Sequence, residues 1–229
     1  MIPYGFLKKI AGGGGPDITT GLIGWWKLDD GSGTTPVDSS ATGANGVMHA
    51  TNPTWVAGHI GTNALQFNGS GYVTVAHNSS FDMGTGDFTV ALWFKSDGSE
   101  AGFYESPFSK GDVGGSGNGI SIIVRNNTIG GQALVYIAGS LLVGTIKVTD
   151  NSWHHIAVIR NSGVVSTYID NTFDNSATIS GNTNVTSDII YLGIFDGSGD
   201  YPEIGQSDEI RFYSRALTGP QLTSLFNYT

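Results

Sequence analysis

The chain has 229 residues, 35 of them glycine and none cysteine, with 11% aromatic and 13% charged residues and a formal net charge of -9. Such a length and glycine content suit one β-rich domain with many tight turns, and the lack of cysteine excludes disulfides and thiolate metal sites. The acid excess argues against binding a phosphate backbone, which needs clustered Lys and Arg, and no apolar run is long enough for a membrane-spanning helix.

Residues 1–20 stand apart from the rest. Ile2, Tyr4, Phe6, Leu7 and Ile10 are large and apolar, Lys8 and Lys9 are basic, and Ala11 to Pro16 form a glycine-rich linker. The lysines are followed by glycines and not by an apolar stretch, so a secretory signal is not expected. Burying five such side chains would favour docking, so the arm is expected to anchor the protein to a larger assembly or to its own copies.

The β pattern starts at Leu22–Leu28 and turns at Asp29 to Gly33. A polar loop, 34–46, carries Asp38, Ser39, Ser40 and Asn45. Ala64–Phe67, Tyr72–Val75 and the strong run Asp87–Lys95 read as strands, with weaker ones near 107–110, 119–125, 134–137 and 189–194. Trp153–Arg160 and Val164–Asp170 flank Asn161-Ser162-Gly163, a loop of hairpin chemistry. Alternation puts His155, Ala157 and Ile159 on one face and Ile156 and Val158 on the other, so this strand should be covered on both. His154 and His155 then face opposite ways and need no shared ligand. Asp208–Tyr213 is a further alternating strand. After it Thr218, Pro220 and Gln221 carry the signature of a helix start, with Gln221 reaching back as in a capping box.

Taken in order, LIGWWKLD from Leu22, Asp38-Ser-Ser, Asn45-Gly, ALQFNG from Ala64, YVTV from Tyr72, DFTVALW from Asp87, WHHIAV from Trp153 and DEIRFYSRAL from Asp208 resemble the concanavalin A-like, laminin-G-type jelly-roll family. The resemblance covers 21–229 and implies an all-β, two-sheet antiparallel jelly-roll sandwich with a short C-terminal helix, preceded by the arm. It also implies a calcium ion linking the early polar loop to the final strand, with Asp38, Asn45 and Asp208 as ligands. Trp25, Trp26, Trp93 and Trp153 sit in strand patterns and are expected in the core; Trp55, Phe103, Tyr104, Phe195 and Tyr201 fall in loops. Trp55, Tyr104 and Tyr201 are the carbohydrate-binding candidates.

Glycoside hydrolysis needs two carboxyl groups about 5–9.5 Å apart across one cleft. Asp208 and Glu209 are adjacent on a strand, while Glu100, Glu105 and Glu203 lie in Gly- and Ser-rich loops, so no enzyme is expected. A one-domain chain with a glycine-hinged anchor resembles a phage virion accessory protein (a decoration, fibre or tail protein) that touches host glycans. The alternative is a bacterial extracellular carbohydrate-binding or adhesion module; a glycoside hydrolase comes third.

Overall fold

The computed structural model describes residues 15–49, 53–96, 98, 104–111, 117–184, 188–196 and 200–229. The anchor residues Ile2, Tyr4, Phe6, Leu7 and Ile10 lie outside them, as does Phe103. Strands β1 (Leu22–Trp26), β2 (Gly46–His49), β3 (Thr54–Ala57), β4 (Asn63–Gln66) and β5 (Tyr72–Val75) precede the long β6 (Phe88–Lys95). β7 (Tyr104–Lys110), β8 (Ile120–Arg125), β9 (Gln132–Ile137) and β10 (Ser140–Lys147) follow. Then come β11 (His154–Asn161), β12 (Val164–Ile169), β13 (Thr172–Thr178), β14 (Ile190–Leu192), β15 (Gln206–Tyr213) and helix α1 (Gly219–Phe226).

One sheet runs β13-β12-β11-β6-β15-β4-β3, with β1 also paired to β15; the other runs β10-β9-β8-β7-β14-β5-β2. The pairings are antiparallel, and the first strand lies beside the last. The fold is the expected jelly-roll sandwich. Between the sheets Phe88, Val90, Leu92 and Phe94 of β6 meet Ile156 and Val158 of β11, Ile210 and Phe212 of β15, and Ile122 and Val124 of β8. The opposite faces of β6 and β11 are also covered, because Ala91, Ala157 and Ile159 pack under Leu222 and Leu225 of α1. Burying two leucines gains about 1.5–3 kcal/mol each, which holds a helix too short to form alone. At its start the Gln221 Oε1 accepts from the Thr218 N–H at 2.9 Å, as the sequence signature requires.

The β11–β12 turn is tighter than expected. Asn161 still pairs with Val164, which leaves Ser162 and Gly163 as a two-residue loop at φ 51 and 80°. Such a primed turn matches the strand twist, and glycine removes the Cβ penalty at its second position.

Four strands go beyond the sequence pattern: β2, β3, β10 and β13. Three of the loop assignments fall on strands: Trp55 is on β3, Tyr104 opens β7 and Glu105 follows it there. Trp153 is a correction too. It precedes the first paired residue of β11, so the sheet does not enclose it and it stays half-buried, whereas Trp25, Trp26 and Trp93 are buried. Residues 17–20, set apart from the sandwich together with the arm and linker, are tied to it: Asp17 O accepts from Arg215 Nη2 at 3.1 Å and Thr20 O from Arg215 Nε at 2.6 Å.

Candidate functional site

A pocket of about 510 Å³ opens at one end of the β1-containing sheet, walled by His59, Trp93, Trp153, Asp170, Phe226 and Tyr228. Five segments build it: the loop between β3 and β4, β6, the approach to β11, the β12–β13 turn and the tail after α1. The His59 ring lies 4.0 Å from that of Trp93 and 5.5 Å from that of Trp153, centroid to centroid. Phe226 stacks on the far part of the wall, 5.5 Å from Trp93.

Asp170 and Asn171 have φ of 50 and 62°, so β12 returns as β13 through another primed two-residue turn. Asn and Asp tolerate this region because their short side chains bond locally. Asp170 uses the turn to hold both histidines: Oδ2 meets His154 Nδ1 at 2.8 Å and Oδ1 accepts the His155 N–H at 2.8 Å. The bond to Asp170 is the main reason the His154 pKa lies above its usual value. His155 lies on the opposite face, against Trp93 and Phe226, and burial followed by the nearby Arg211 pushes its pKa down to about 3. His155 is therefore neutral through the physiological range, and the two adjacent histidines do separate work.

Asp208 supports the pocket from below. Its Oδ2 accepts from the His59 and Ile60 N–H groups at 2.9 and 3.0 Å, which fixes the loop that carries His59. Its other oxygen is buried with no hydrogen bond, and burial pushes the pKa up to about 7. Because the folded value is above the unfolded one, protonation favours the folded state. The stabilisation is complete below about pH 4 and is lost as pH rises to about 7, with a slope approaching about 1.4 kcal/mol per pH unit. In Asp208→Asn this part of the slope should vanish from denaturant melts taken across that range. An unchanged slope would mean that Asp208 ionises freely in the folded protein.

The residues named for calcium do not form one donor set. Asp38 Oδ1 accepts from Trp25 N and Ser40 N, both at 2.8 Å. Asp38 Oδ2 accepts from Ser40 Oγ and Ala44 N at 2.9 and 2.8 Å. Asn45 gives its Oδ1 to the Asp38 N–H at 2.9 Å, so these two do meet, as a polar turn that clips the loop to β1. Asp208 bonds a different loop, and among the described residues no group of three or more His, Asp or Glu side chains could hold a metal ion. With donors filling Asp38, these residues do not fit the ion that the resemblance implies.

The carbohydrate candidates split likewise. Tyr104 and Tyr201 come together on the outside of the other sheet, 4.9 Å apart, and Phe195 lies 4.9 Å from Tyr201. They close over Ile123 and Leu134 as a small satellite core. Trp55 stands elsewhere, on β3, donating its indole N–H to Gly33 O at 3.0 Å. His59, Asp170 and Phe226 were not singled out by sequence, since the five pocket segments have no common spacing.

The family model described as the concanavalin A-like lectin/glucanases superfamily matches residues 67–223. The chain belongs to this superfamily. Among solved structures, the binding domain of Paraclostridial Mosquitocidal Protein 1 superposes with a TM-score of 0.73 at 17% identity, over 92% of this chain and 53% of that one. Domain 4 of a GH43 extracellular arabinanase from Geobacillus stearothermophilus, in complex with arabinotriose, gives 0.68 at 20% identity, over 90% of this chain and 98% of that domain. The binding domain of Botulinum Neurotoxin DC in complex with SialylT gives 0.68 at 14% identity, over 92% and 52%. The chain thus spans about half the length of these toxin domains, and at such identities the likeness is one of fold. No curated protein sequence matches significantly. The superfamily name covers both lectins and glucanases; among the described residues that line the pocket, Asp170 is the single Asp or Glu.

Proposed function

We propose that the chain is a non-catalytic binding module that takes a neutral oligosaccharide in the Trp153 pocket. The observation that carries this is the pocket itself: aromatic faces converge on one carboxylate beside a fixed imidazole, in a cleft large enough for a few sugar rings. Sugar C–H faces stack on indole, and Asp170 and Asn227 offer hydrogen-bonding groups for hydroxyls. The carboxylate and the acidic chain disfavour sialylated ligands. Two superposing domains are described with sugars, one with arabinotriose and one with SialylT, which supports the reading by analogy of fold. Arabinotriose is the first probe. Trp153→Ala should lower affinity for it at least tenfold in calorimetry, with an unchanged melting midpoint, because Trp153 is only half-buried. Equal binding by Trp153→Ala would remove the pocket from consideration.

In its fuller form the proposal places the module outside the cell on a larger assembly, a phage virion, held through Ile2, Tyr4, Phe6, Leu7 and Ile10. Deleting residues 1–16 keeps the bonds that Asp17 and Thr20 make to Arg215, so the shortened chain should melt as the full chain does. It should no longer co-sediment with virions; undiminished co-sedimentation would refute attachment through the arm.

A further inference from the structure

The imidazole of His154 is held at both nitrogens by carboxylates. Nδ1 lies 2.8 Å from Asp170 Oδ2, in the β12–β13 turn, and Nε2 lies 3.1 Å from Asp150 Oδ1, in the loop before β11. A carboxylate only accepts, so each of these contacts needs an N–H, and a neutral imidazole has one. The imidazolium alone makes both bonds. The His154 side chain is 13% exposed, so water has little room to stand in for either partner. The bond to His154 is also the largest cause of an Asp150 pKa below its usual value, which agrees with a charged pair. Opposite His154 on β6 stands Phe94, which does not titrate, and His155 turns to the other face. Among the described residues, the charges that face His154 are these two aspartates.

The two aspartates belong to the two sides of the pocket. Asp150 Oδ1 also accepts the Ser152 N–H at 2.9 Å, closing the turn that leads into Trp153. Within that turn the Asn151 N–H donates to Ser96 O at 3.0 Å. Asp170 is itself a pocket wall, and its other oxygen takes the His155 N–H. His154 therefore ties the turn that presents Trp153 to the turn that presents Asp170. It also offsets the charge of the pocket's carboxylate. Loss of the proton turns one ring nitrogen into a lone pair facing a carboxylate, a repulsive contact. The Asp150 bond is the longer and the more exposed of the two, so it is the one to open. The turn before Trp153 then keeps only its tie to Ser96.

We propose that His154 is a positioning residue, a charged clasp that sets Trp153 and Asp170 for the ligand, so that the pocket is fully formed only while His154 carries its proton. This rests on the reading of the pocket as the binding site. Because the bond to Asp170, above all, raises the His154 pKa, the clasp is complete in acid and near-neutral solution and is lost as pH rises through that value. Two other groups titrate nearby: burial pulls the His59 pKa down and pushes that of Asp208, beneath the His59 loop, up to about 7. Variants separate them. The first measurement needs neither variant nor sugar. Between about pH 5 and about pH 9, NMR of the ring nitrogens should give His154 a midpoint above that of free histidine, and the Trp153 indole N–H signal should shift with the same midpoint. Arabinotriose affinity should fall about tenfold across that range in the unaltered protein, the loss of one charge-assisted bond. His154→Gln, uncharged throughout, should show no such step, and Asp208→Asn should keep it. Arabinotriose that binds at no pH would fail the pocket reading and this proposal with it. A His154 midpoint no higher than that of free histidine, a Trp153 signal that does not follow it, or a step that survives His154→Gln would overturn the clasp alone.

Discussion

Replacing Arg160 with methionine is expected to cost about 3–5 kcal/mol and to lower the melting midpoint by roughly 6–20 °C. Arg160 is fully buried on β11 beside the turn that closes the β11–β12 hairpin, and its guanidinium lies 4.9 Å over the Phe88 ring. Its nitrogens donate to three carbonyls: Gly86 O at 2.7 Å, Gly84 O at 2.7 Å and Gly181 O at 3.0 Å. The 84–86 and 181 segments have no strand ladder of their own at these positions, so the arginine does the work of a sheet neighbour. Methionine fills much of the volume but takes the arginine donors from all three carbonyls, of which Gly84 O alone keeps other donors, the Thr183 N–H and hydroxyl, and this isolates the polar contribution from packing. Arg160→Lys, with one compact ammonium in place of a fork, should fall between. A midpoint within about 2 °C of the unaltered protein in thermal circular dichroism would mean that water replaces the guanidinium at little cost.

Glu209→Ala should be comparably damaging, at about 3–5 kcal/mol, whereas Glu209→Leu combined with Arg211→Met should cost less than the single change. Glu209 and Arg211 form a buried ion pair at 2.6 Å, and Glu209 Oε2 also accepts the Trp25 indole N–H at 2.7 Å. Arg211 stacks between Trp25 and Tyr228, 4.6 and 4.2 Å from the two rings. Removing the carboxylate alone strands a cation among aromatic rings and orphans an indole donor. Removing both charges still orphans the indole donor but strands no cation, and the apolar surface can close up. Because Tyr228 walls the pocket, the single variant should also bind arabinotriose more weakly. A double variant less stable than Glu209→Ala would show that the pair is net stabilising here.

The fold was legible where burial imposes a period. β6, β11 and β15 carry apolar residues on both pleat faces, and the two-sided cover of β11 follows from alternation alone. The strands that escaped are short or lie at the margins. β13, Thr172–Thr178, is polar through its centre, and β3 is only four residues long, so neither has a buried face to write a pattern into the sequence. That is why Trp55 reads as a loop residue. Tyr104 and Tyr201 stood with Trp55 as carbohydrate candidates, and nothing in the chain told that the two tyrosine rings would pack on each other. The pocket was illegible for a different reason. His59, Trp93, Trp153, Asp170 and Phe226 come from five distant segments, and each sits among residues that look like ordinary turn or core positions.

The bonds of Arg215 fix where Asp17 and Thr20 join the sandwich. Arg215 and Gln221 grip Asp17 O beside the first turn of α1, while the residues after the last turn line the pocket mouth. An eight-residue helix is about 12 Å long. Asp17 is therefore held roughly one such length from the pocket opening, so the grip on Asp17 and a ligand at Trp153 would act on opposite ends of the same short helix.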